Sequence, residues 1–174
     1  MPPRCRRFRA VPTLECYRLA DRDRHKTYVA DDLSGAGAKA TGGRWNAVGD
    51  ALVYASETQA LACLETVVHL NAAGLPLNRY LVGVTIPDDV WGAARTEGAG
   101  RLPVGWDADP SGRASIQFGS AWIRSGVCAV LRVPSVVVPD EYNVLINPLH
   151  PDCRGIRARK IRKWLYDPRL TENS

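Results

Sequence analysis

The sequence predicts one compact domain that mixes helices and strands, of either the α/β or the α+β class. Its 174 residues are the usual length of a single domain and can bury a sizeable core without metals or disulfides. Hydrophobic residues make up 45% of the chain and charged residues 24%, which is typical of globular proteins. Twelve prolines and fifteen glycines indicate many turns and short elements, and they argue against a helical bundle.

The first fifty residues predict one strand and a long loop. Apolar and polar residues alternate over 14–19, which is the pattern of a strand. Residues 21–50 are rich in Asp, Gly and Ala and predict a loop with a short helical turn. The glycines of Gly35–Gly43 would let the backbone approach a ligand closely. A second short strand is predicted at Leu52–Ala55.

The next segment carries the strongest local helix signal. Ser56 and Gln59 have the spacing of a capping box, which predicts a helix that runs to about Ala73 and stops at Gly74. Glu65 is expected at the border of the buried face. The residues expected on that face are Leu61, Leu64 and Val68.

The second half of the chain predicts three strands and one more helix. These elements are strands over 80–86, 127–133 and 141–146 and a helix over 111–125. Residues 87–111 are expected to be irregular and anchored by Trp91 and Trp106. No helix or strand is predicted for the tail over 156–170.

The net charge is +5, and the excess lies near the two ends. Such basic clusters can bind nucleic acid or acidic proteins, and a basic rim can steer an anionic small molecule. We interpret residues 1–12 as a flexible basic arm and the other cluster as a solvated face, because no interleaved aromatic and basic motif accompanies them. The cations are Arg4, Arg6, Arg7, Arg9, Arg154, Arg157, Arg159, Lys160, Arg162 and Lys163.

Cysteine usage and hydropathy predict a cytoplasmic protein with reduced thiols. The five cysteines are spread widely and form no C-x-x-C pair. We find neither a signal peptide nor an apolar run of membrane-spanning length. Only His150 and Cys153 have a spacing that suits a metal, so no metal is expected.

One group of residues has the chemistry to break a glycosidic bond of an anionic ligand. Arg44 follows Gly42 and Gly43, so a phosphate could reach its guanidinium and the neighbouring N–H groups. Tyr54 can stack on a flat ring. Glu65 could stabilise the positive charge that develops on a ribose as its N-glycosidic bond breaks. The alternative is that Arg44 and Glu65 form a structural ion pair and that Tyr54 is a half-buried strand residue.

A second group follows the strand over 127–133. Ser135 comes directly after Pro134 and could project its hydroxyl into a cleft, although such a position is also typical of turns. Asn143 and the segment Asn147–Pro151 follow. No G-x-S-x-G surrounds Ser135, and the chain contains neither a P-loop nor a G-x-G-x-x-G after a strand. A hydrolase triad, NTP hydrolysis and Rossmann-type hydride transfer are therefore disfavoured.

Taken in order, several segments resemble the RES domain, a family named for Arg, Glu and Ser residues. No single segment identifies the family, but the set in this order is specific for it and spans about residues 14–170. The matching segments are Tyr17–Leu19, Gly42–Asn46, Val53–Ser56, Ala60–Glu65, Val133–Ser135, Asn143–Pro151 and Asp167–Leu170.

The resemblance implies a toxin of a bacterial toxin–antitoxin pair, neutralised by an Xre-like helix-turn-helix antitoxin. It implies an α+β fold like that of ADP-ribosyltransferases, formed by residues 13–174, with mixed or antiparallel sheets and flanking helices around an NAD⁺-binding cleft. It also allows a homodimer. The residues it implies as catalytic are Arg44, Tyr54, Glu65 and Ser135, and those as contacts for NAD⁺ are Arg18, Gly43, Arg44, Tyr54, Ser135 and Asn143.

The activity implied is cleavage of the nicotinamide–ribose bond, which depletes NAD⁺ by hydrolysis or phosphorolysis and arrests growth. In this reading Arg44 holds the pyrophosphate, Tyr54 packs on the nicotinamide or ribose, and Glu65 stabilises the oxocarbenium ion. Ser135 would bind the nicotinamide-side ribose or phosphate, and Arg18 is a weaker candidate for a second phosphate contact. Transfer of ADP-ribose to a protein is the main alternative, and a toxin that targets nucleic acid is the second.

Overall fold

The computed structural model describes residues 13–21, 29–69 and 78–170. The basic arm predicted at 1–12 and the helix stop predicted at Gly74 lie outside them. The described elements follow in chain order, with short 3₁₀ segments at 99–101, 151–155 and 168–170. The elements are β1 Thr13–Asp21, α1 Ala36–Thr41, β2 Val53–Ser56, α2 Gln59–Val67, β3 Arg79–Pro87, α3 Asp88–Gly92, β4 Arg95–Thr96, α4 Arg113–Ser125, β5 Val130–Pro134, β6 Tyr142–Ile146 and β7 Arg157–Lys163.

The described strands form one mixed sheet of seven strands, in the order β4-β5-β6-β2-β1-β3-β7. The pair β4–β5 is parallel, and the other neighbouring pairs are antiparallel. Among the described elements, helices and strands pack together without the repeated β-α-β units of a parallel sheet. The α+β class and the mixed sheet are therefore confirmed.

One side of the sheet, which we call the closed face, carries an apolar core. It is covered by α3, through Val90 and Trp91, and by the segment around Cys153 and Ile156. Burial of these aliphatic side chains stabilises the sheet. The strand residues in this core are Ala20, Val53, Ala55, Val82, Val84, Ile86, Val130, Val144 and Ile146.

The opposite side, which we call the site face, is apolar at one end and polar at the other. The apolar end packs under α4 and the Trp45 ring, and Trp106 confirms its predicted anchoring role by packing there too. A Cβ at Gly119 of α4 would lie 2.0 Å from the carbonyl oxygen of Trp45, so only glycine allows this contact. The strand residues at the apolar end are Tyr54, Leu131, Val133 and Leu145, and those at the polar end include Tyr17, Ser56 and Asn143.

Helix α2 differs from its prediction at both ends. Its N-cap is Thr58, whose hydroxyl accepts from the N–H of Leu61, and not Ser56. It ends at Val67. Leu64 and Val68 are 37% and 53% exposed, so their expected burial is wrong. The side chains buried on this helix are Leu61 and Ala62.

The other predicted elements agree with the structure within a few residues, and the tail does not. Strand β7 extends along β3 over 157–163, where no strand was predicted. The supposedly irregular stretch 87–111 contains α3 and β4. Within the described ranges, no helix combines the length and apolarity needed to cross a membrane.

Candidate functional site

Glu65 of α2 lies at the polar end of the site face and is held by two neutral donors. Its Oε1 atom accepts from the hydroxyl of Ser135 at 2.7 Å and from the amide of Asn143 at 2.5 Å. Its Oε2 atom receives no hydrogen bond from the described residues, and the residue is only partly buried. One carboxylate oxygen is therefore fixed by the protein while the other is left open to a ligand.

Ser135 orients this carboxylate from a fully buried position. Its Oγ accepts the backbone N–H groups of Val137 and Val138, both at 3.0 Å, so its own proton is directed at Glu65. The residue is 0% exposed. Direct binding of a ribose or phosphate, the role predicted for Ser135, does not fit a buried hydroxyl whose hydrogen bonds are already made.

Asn143 and Ser56 complete this polar network from adjacent strands. They are direct partners in the register between β2 and β6, and the Ser56 hydroxyl donates to Asn143 Oδ1 at 2.8 Å. This bond fixes the amide so that its nitrogen faces Glu65. This role of Ser56 was not predicted, because a serine followed three residues later by Gln59 resembles a helix cap.

The turn that carries Arg44 is tied to the same face of the sheet by Tyr54. Gly43 and Asn46 form a β-bridge, and the Tyr54 hydroxyl accepts from Trp45 N at 2.9 Å and donates to Asn46 Oδ1 at 2.7 Å. The amide of Asn46, which is fully buried, donates to three backbone carbonyl groups. Those carbonyls belong to Ala38, Ala47 and Asp50.

The hydrogen bonds of the Tyr54 hydroxyl are made within the protein. Burial raises the pKa of this phenol well above its ordinary value, although the bond from Trp45 and the nearby Arg44 guanidinium oppose that effect. A Cβ at Gly43 would lie 2.6 Å from the Tyr54 oxygen, which explains the glycine at that position. Tyr54 thus holds the turn through its hydroxyl, whereas stacking of its ring on a ligand stays a prediction.

Arg44 and Glu65 approach the sheet from the same side. Arg44 sits in the turn above Tyr54, and Glu65 contacts the partner of Ser56, two residues further along β2. The Arg44 Nη1 atom donates to the carbonyl oxygens of Trp106 and Ala108 at 3.2 and 2.8 Å. In the part of the chain that is described, no ion pair joins Arg44 to Glu65, so the structural ion pair considered as the alternative is absent.

Arg18 does not join this group. Tyr17 is the register partner of Ser56, so alternation along β1 places Arg18 on the closed face. Its Nη1 atom donates to the carbonyl oxygen of Asp32 at 2.9 Å. The structure therefore places Arg18 and Glu65 on opposite sides of the sheet.

A cavity of about 360 Å³ lies at the other end of β2 and β6. Its lining includes Lys39, Asp50 and His150 but neither Arg44 nor Glu65, so it is not the predicted cleft. The Cys153 thiol donates to a backbone carbonyl, and burial raises its pKa to about 11. Among the described residues no group of His, Cys, Asp or Glu side chains could hold a metal.

These contacts define what the site face can do chemically. A carboxylate held by neutral donors keeps its charge uncompensated, so it can stabilise a positive charge that forms beside it. An arginine on the same side can bind an anionic group of the same ligand. The arrangement suits a ligand that carries both an anionic group and a centre that becomes cationic.

Comparison with known proteins gives consistent matches. A family model described as the RES domain matches residues 15–168. A Sphingobium protein named "Prs ADP-ribosylating toxin" is 67% identical over 145 residues, which are 83% of this chain and 90% of that protein. Proteins named "Toxin Res" from Yersinia enterocolitica and Photorhabdus laumondii are 32% and 34% identical over 146 residues, which are 83% of this chain and 94% and 92% of theirs.

Proposed function

The chain belongs to the RES-domain family, and on that basis we propose that it is a toxin that cleaves the nicotinamide–ribose bond of NAD⁺. The ADP-ribose released from nicotinamide is then transferred to a protein acceptor. The observation that carries the proposal is the Glu65 carboxylate, fixed by Ser135 and Asn143 with one oxygen left open.

Glu65 supplies the electrostatic part of the mechanism. As the bond to nicotinamide lengthens, positive charge develops on the ribose, and a fixed carboxylate beside it lowers the energy of that state. Ser135 and Asn143 are already bonded before the reaction, so little reorganisation is needed. The open Oε2 atom can meanwhile accept from a ribose hydroxyl and position the ring.

Arg44 supplies the anchoring part. Its Nη1 atom is held by the carbonyls of Trp106 and Ala108, so the rest of the guanidinium is presented in a fixed direction. A fixed guanidinium can bind the diphosphate of NAD⁺ through charge-assisted hydrogen bonds. The buried bonds of Tyr54 and Asn46 keep this turn in place, which limits the entropy lost on binding.

The ADP-ribose has two candidate kinds of acceptor. The relative with 67% identity is named for ADP-ribosylation of Prs, which favours a protein acceptor, and Prs is the first candidate to test. The second candidate acceptor is water or phosphate, which would deplete NAD⁺ without labelling a protein. It follows from the chemistry of Glu65, because the oxocarbenium ion reacts with any nucleophile that reaches it.

The deciding experiment incubates purified protein and biotin-tagged NAD⁺ with Prs or a bacterial extract, with and without phosphate. We expect a labelled acceptor band and release of nicotinamide, both lost in Glu65→Gln. Nicotinamide release without any labelled band would support depletion instead. If the wild-type protein releases no nicotinamide under either condition, the proposed function is wrong.

We also propose that an Xre-like helix-turn-helix antitoxin neutralises this toxin by covering the site face. Expression of the chain alone should arrest growth, and co-expression with the antitoxin should restore it. The Glu65→Gln variant should be harmless alone yet still copurify with the antitoxin. Unimpaired growth of cells that express the wild-type chain alone would contradict this proposal.

A further inference from the structure

An arginine–glutamate pair that the proposed mechanism does not yet use lies beside this site. Glu97 is only 4% exposed and is bonded by Arg95, whose side chain is 49% exposed. Burial of a carboxylate is costly unless a cation compensates for it. The buried Glu97 carboxylate therefore holds a guanidinium that is about half exposed.

The sheet register places this pair on the site face. Arg95 is the partner of Leu131 on β5, and Leu131 is the partner of Leu145, which in turn pairs with Tyr54. One row of the sheet thus runs from Arg95 to Tyr54. With neighbouring strands roughly 4.8 Å apart, β4 lies about 10 Å from the strand that carries Asn143.

The atoms that Arg95 uses decide which part of it faces outward. Glu97 bonds the Nε atom, and the guanidinium carbon lies 5.8 Å from the centre of the Phe118 ring. Within the described ranges, no acceptor binds Nη1 or Nη2. These two nitrogens form the fork that binds phosphate oxygens in pairs.

The same aromatic cluster connects Arg95 with Arg44. Phe118 packs edge-on against Trp45, with ring centres 6.1 Å apart, and Trp45 stacks on Trp106 at 6.0 Å. Trp106 provides one of the carbonyls that hold Arg44. Two arginines thus flank one rigid aromatic cluster on the side of the sheet where Glu65 lies.

We propose that Arg95 is a second phosphate-binding residue of this site, with Glu97 as the residue that positions it. It would bind the diphosphate of NAD⁺ together with Arg44, while Glu65 faces the nicotinamide ribose. The inference rests on the proposed function, because it assigns the diphosphate end of the same substrate. It gives the role of second phosphate contact to Arg95 in place of Arg18, which projects from the closed face.

The test measures binding of ADP, which carries the diphosphate without nicotinamide, by isothermal titration calorimetry. Loss of one bidentate charged contact is expected to weaken binding about 10- to 100-fold in Arg95→Gln. Arg95→Lys should recover only part of the affinity, because it restores the charge without the fork. Binding of adenosine, which has no phosphate, should not change.

Two further variants separate a binding role from a structural one. Arg95→Gln alone leaves the buried Glu97 carboxylate without a cation, which could destabilise the fold. The double variant Arg95→Gln and Glu97→Gln removes both charges and should fold. Arg124→Gln is the matched control, because it breaks a surface pair with Asp50 in which the arginine is 68% exposed. We expect the double variant to lose ADP affinity and the control to keep it.

The possible results distinguish the two proposals. If the wild-type protein cleaves NAD⁺ and the double variant binds ADP normally, the role of Arg95 is refuted while the proposed function stands. Cleavage of NAD⁺ without detectable ADP binding by the wild-type protein also refutes it. If the wild-type protein neither cleaves NAD⁺ nor binds ADP, the proposed function fails and this inference fails with it.

Discussion

Glu57 and Glu65 are close in sequence but lie on opposite faces of the sheet in opposite electrostatic settings. On the closed face, Arg132 binds Glu57 through Nε at 2.7 Å and also through Nη2. The Arg132 guanidinium carbon also lies 5.0 Å from the centre of the Trp91 ring and 4.8 Å from that of Tyr142. On the site face, Glu65 is bonded only by a hydroxyl and an amide.

The same type of side chain thus occupies two electrostatic settings in one protein, one suited to stability and one suited to chemistry. The charge of Glu57 is compensated by a permanent cation, so it has little effect on a third charge nearby. The charge of Glu65 is held in place but not compensated among the described residues, so it remains available to a transient cation.

The largest effect is expected when the charge of Glu65 is removed. Glu65→Gln keeps the shape and the acceptor for Ser135, yet NAD⁺ cleavage should fall about 10²–10³-fold, by analogy with the loss of one electrostatic stabiliser. Steady-state kinetics of nicotinamide release measures this. The matched control is Glu57→Gln, which should retain most of the activity, and an equal loss in both variants would contradict the contrast.

The next effect concerns stability on the closed face. Arg132→Gln leaves Glu57 without its cation, and since both side chains are about one-quarter exposed, we expect a loss of about 1–3 kcal/mol in the free energy of unfolding. Urea denaturation followed by tryptophan fluorescence gives this value. Activity per folded molecule should be unchanged, so a variant of normal stability and low activity would show that Glu57 belongs to the site.

A smaller effect is expected at the turn that carries Arg44. Tyr54→Phe removes the acceptor of Trp45 and the donor to Asn46, which should cost about 1–3 kcal/mol of unfolding free energy. A looser turn should raise the KM for NAD⁺ more than it lowers kcat. Tyr80→Phe is the control, because no hydrogen bond of its hydroxyl is found in the described part of the chain. A pure fall in kcat in Tyr54→Phe would favour a direct catalytic role.

The smallest effect is a dependence of stability on alkaline pH. The folded protein raises the pKa of Tyr54, so above the ordinary value of 10.0 the unfolded chain loses this proton while the folded chain keeps it. Stability from Tyr54 is therefore complete below pH 10 and is lost above it, by about 1 kcal/mol at pH 10.5. The difference in unfolding free energy between the wild-type protein and Tyr54→Phe should therefore be smaller at pH 10.5 than at pH 9. A constant difference would refute this assignment.

The sequence predicted elements better where the hydrophobic pattern was strong than where it was weak. Alternation or helical periodicity located β3 and α4. Strand β7 has the sequence RARKIRK, whose charges hide any alternation because it lies at an edge of the sheet. The cap of α2 was misplaced because Ser56 and Thr58 are both suitable, and only pairing with β6 keeps Ser56 in a strand.

The sequence indicated which residues could form the candidate site more readily than it indicated what each of them contacts. Family motifs pointed to Arg44, Tyr54, Glu65 and Ser135. The roles of the two hydroxyls depend on contacts between distant segments, such as Ser135 with Glu65, and local patterns do not contain that information. Arg95 and Glu97 were missed because the strand that contains Arg95 has only two residues, and the segment around it resembles an irregular loop.

The glycine at position 119 has a genetic consequence. Because a methyl group there would collide with the carbonyl of Trp45, even alanine must push α4 away from the turn that carries Arg44. Colonies that survive expression of the toxic chain should therefore include substitutions at 119 beside those at 44 and 65. An inactivating lesion can thus arise at a residue outside the proposed ligand contacts, and a search restricted to those contacts would overlook it.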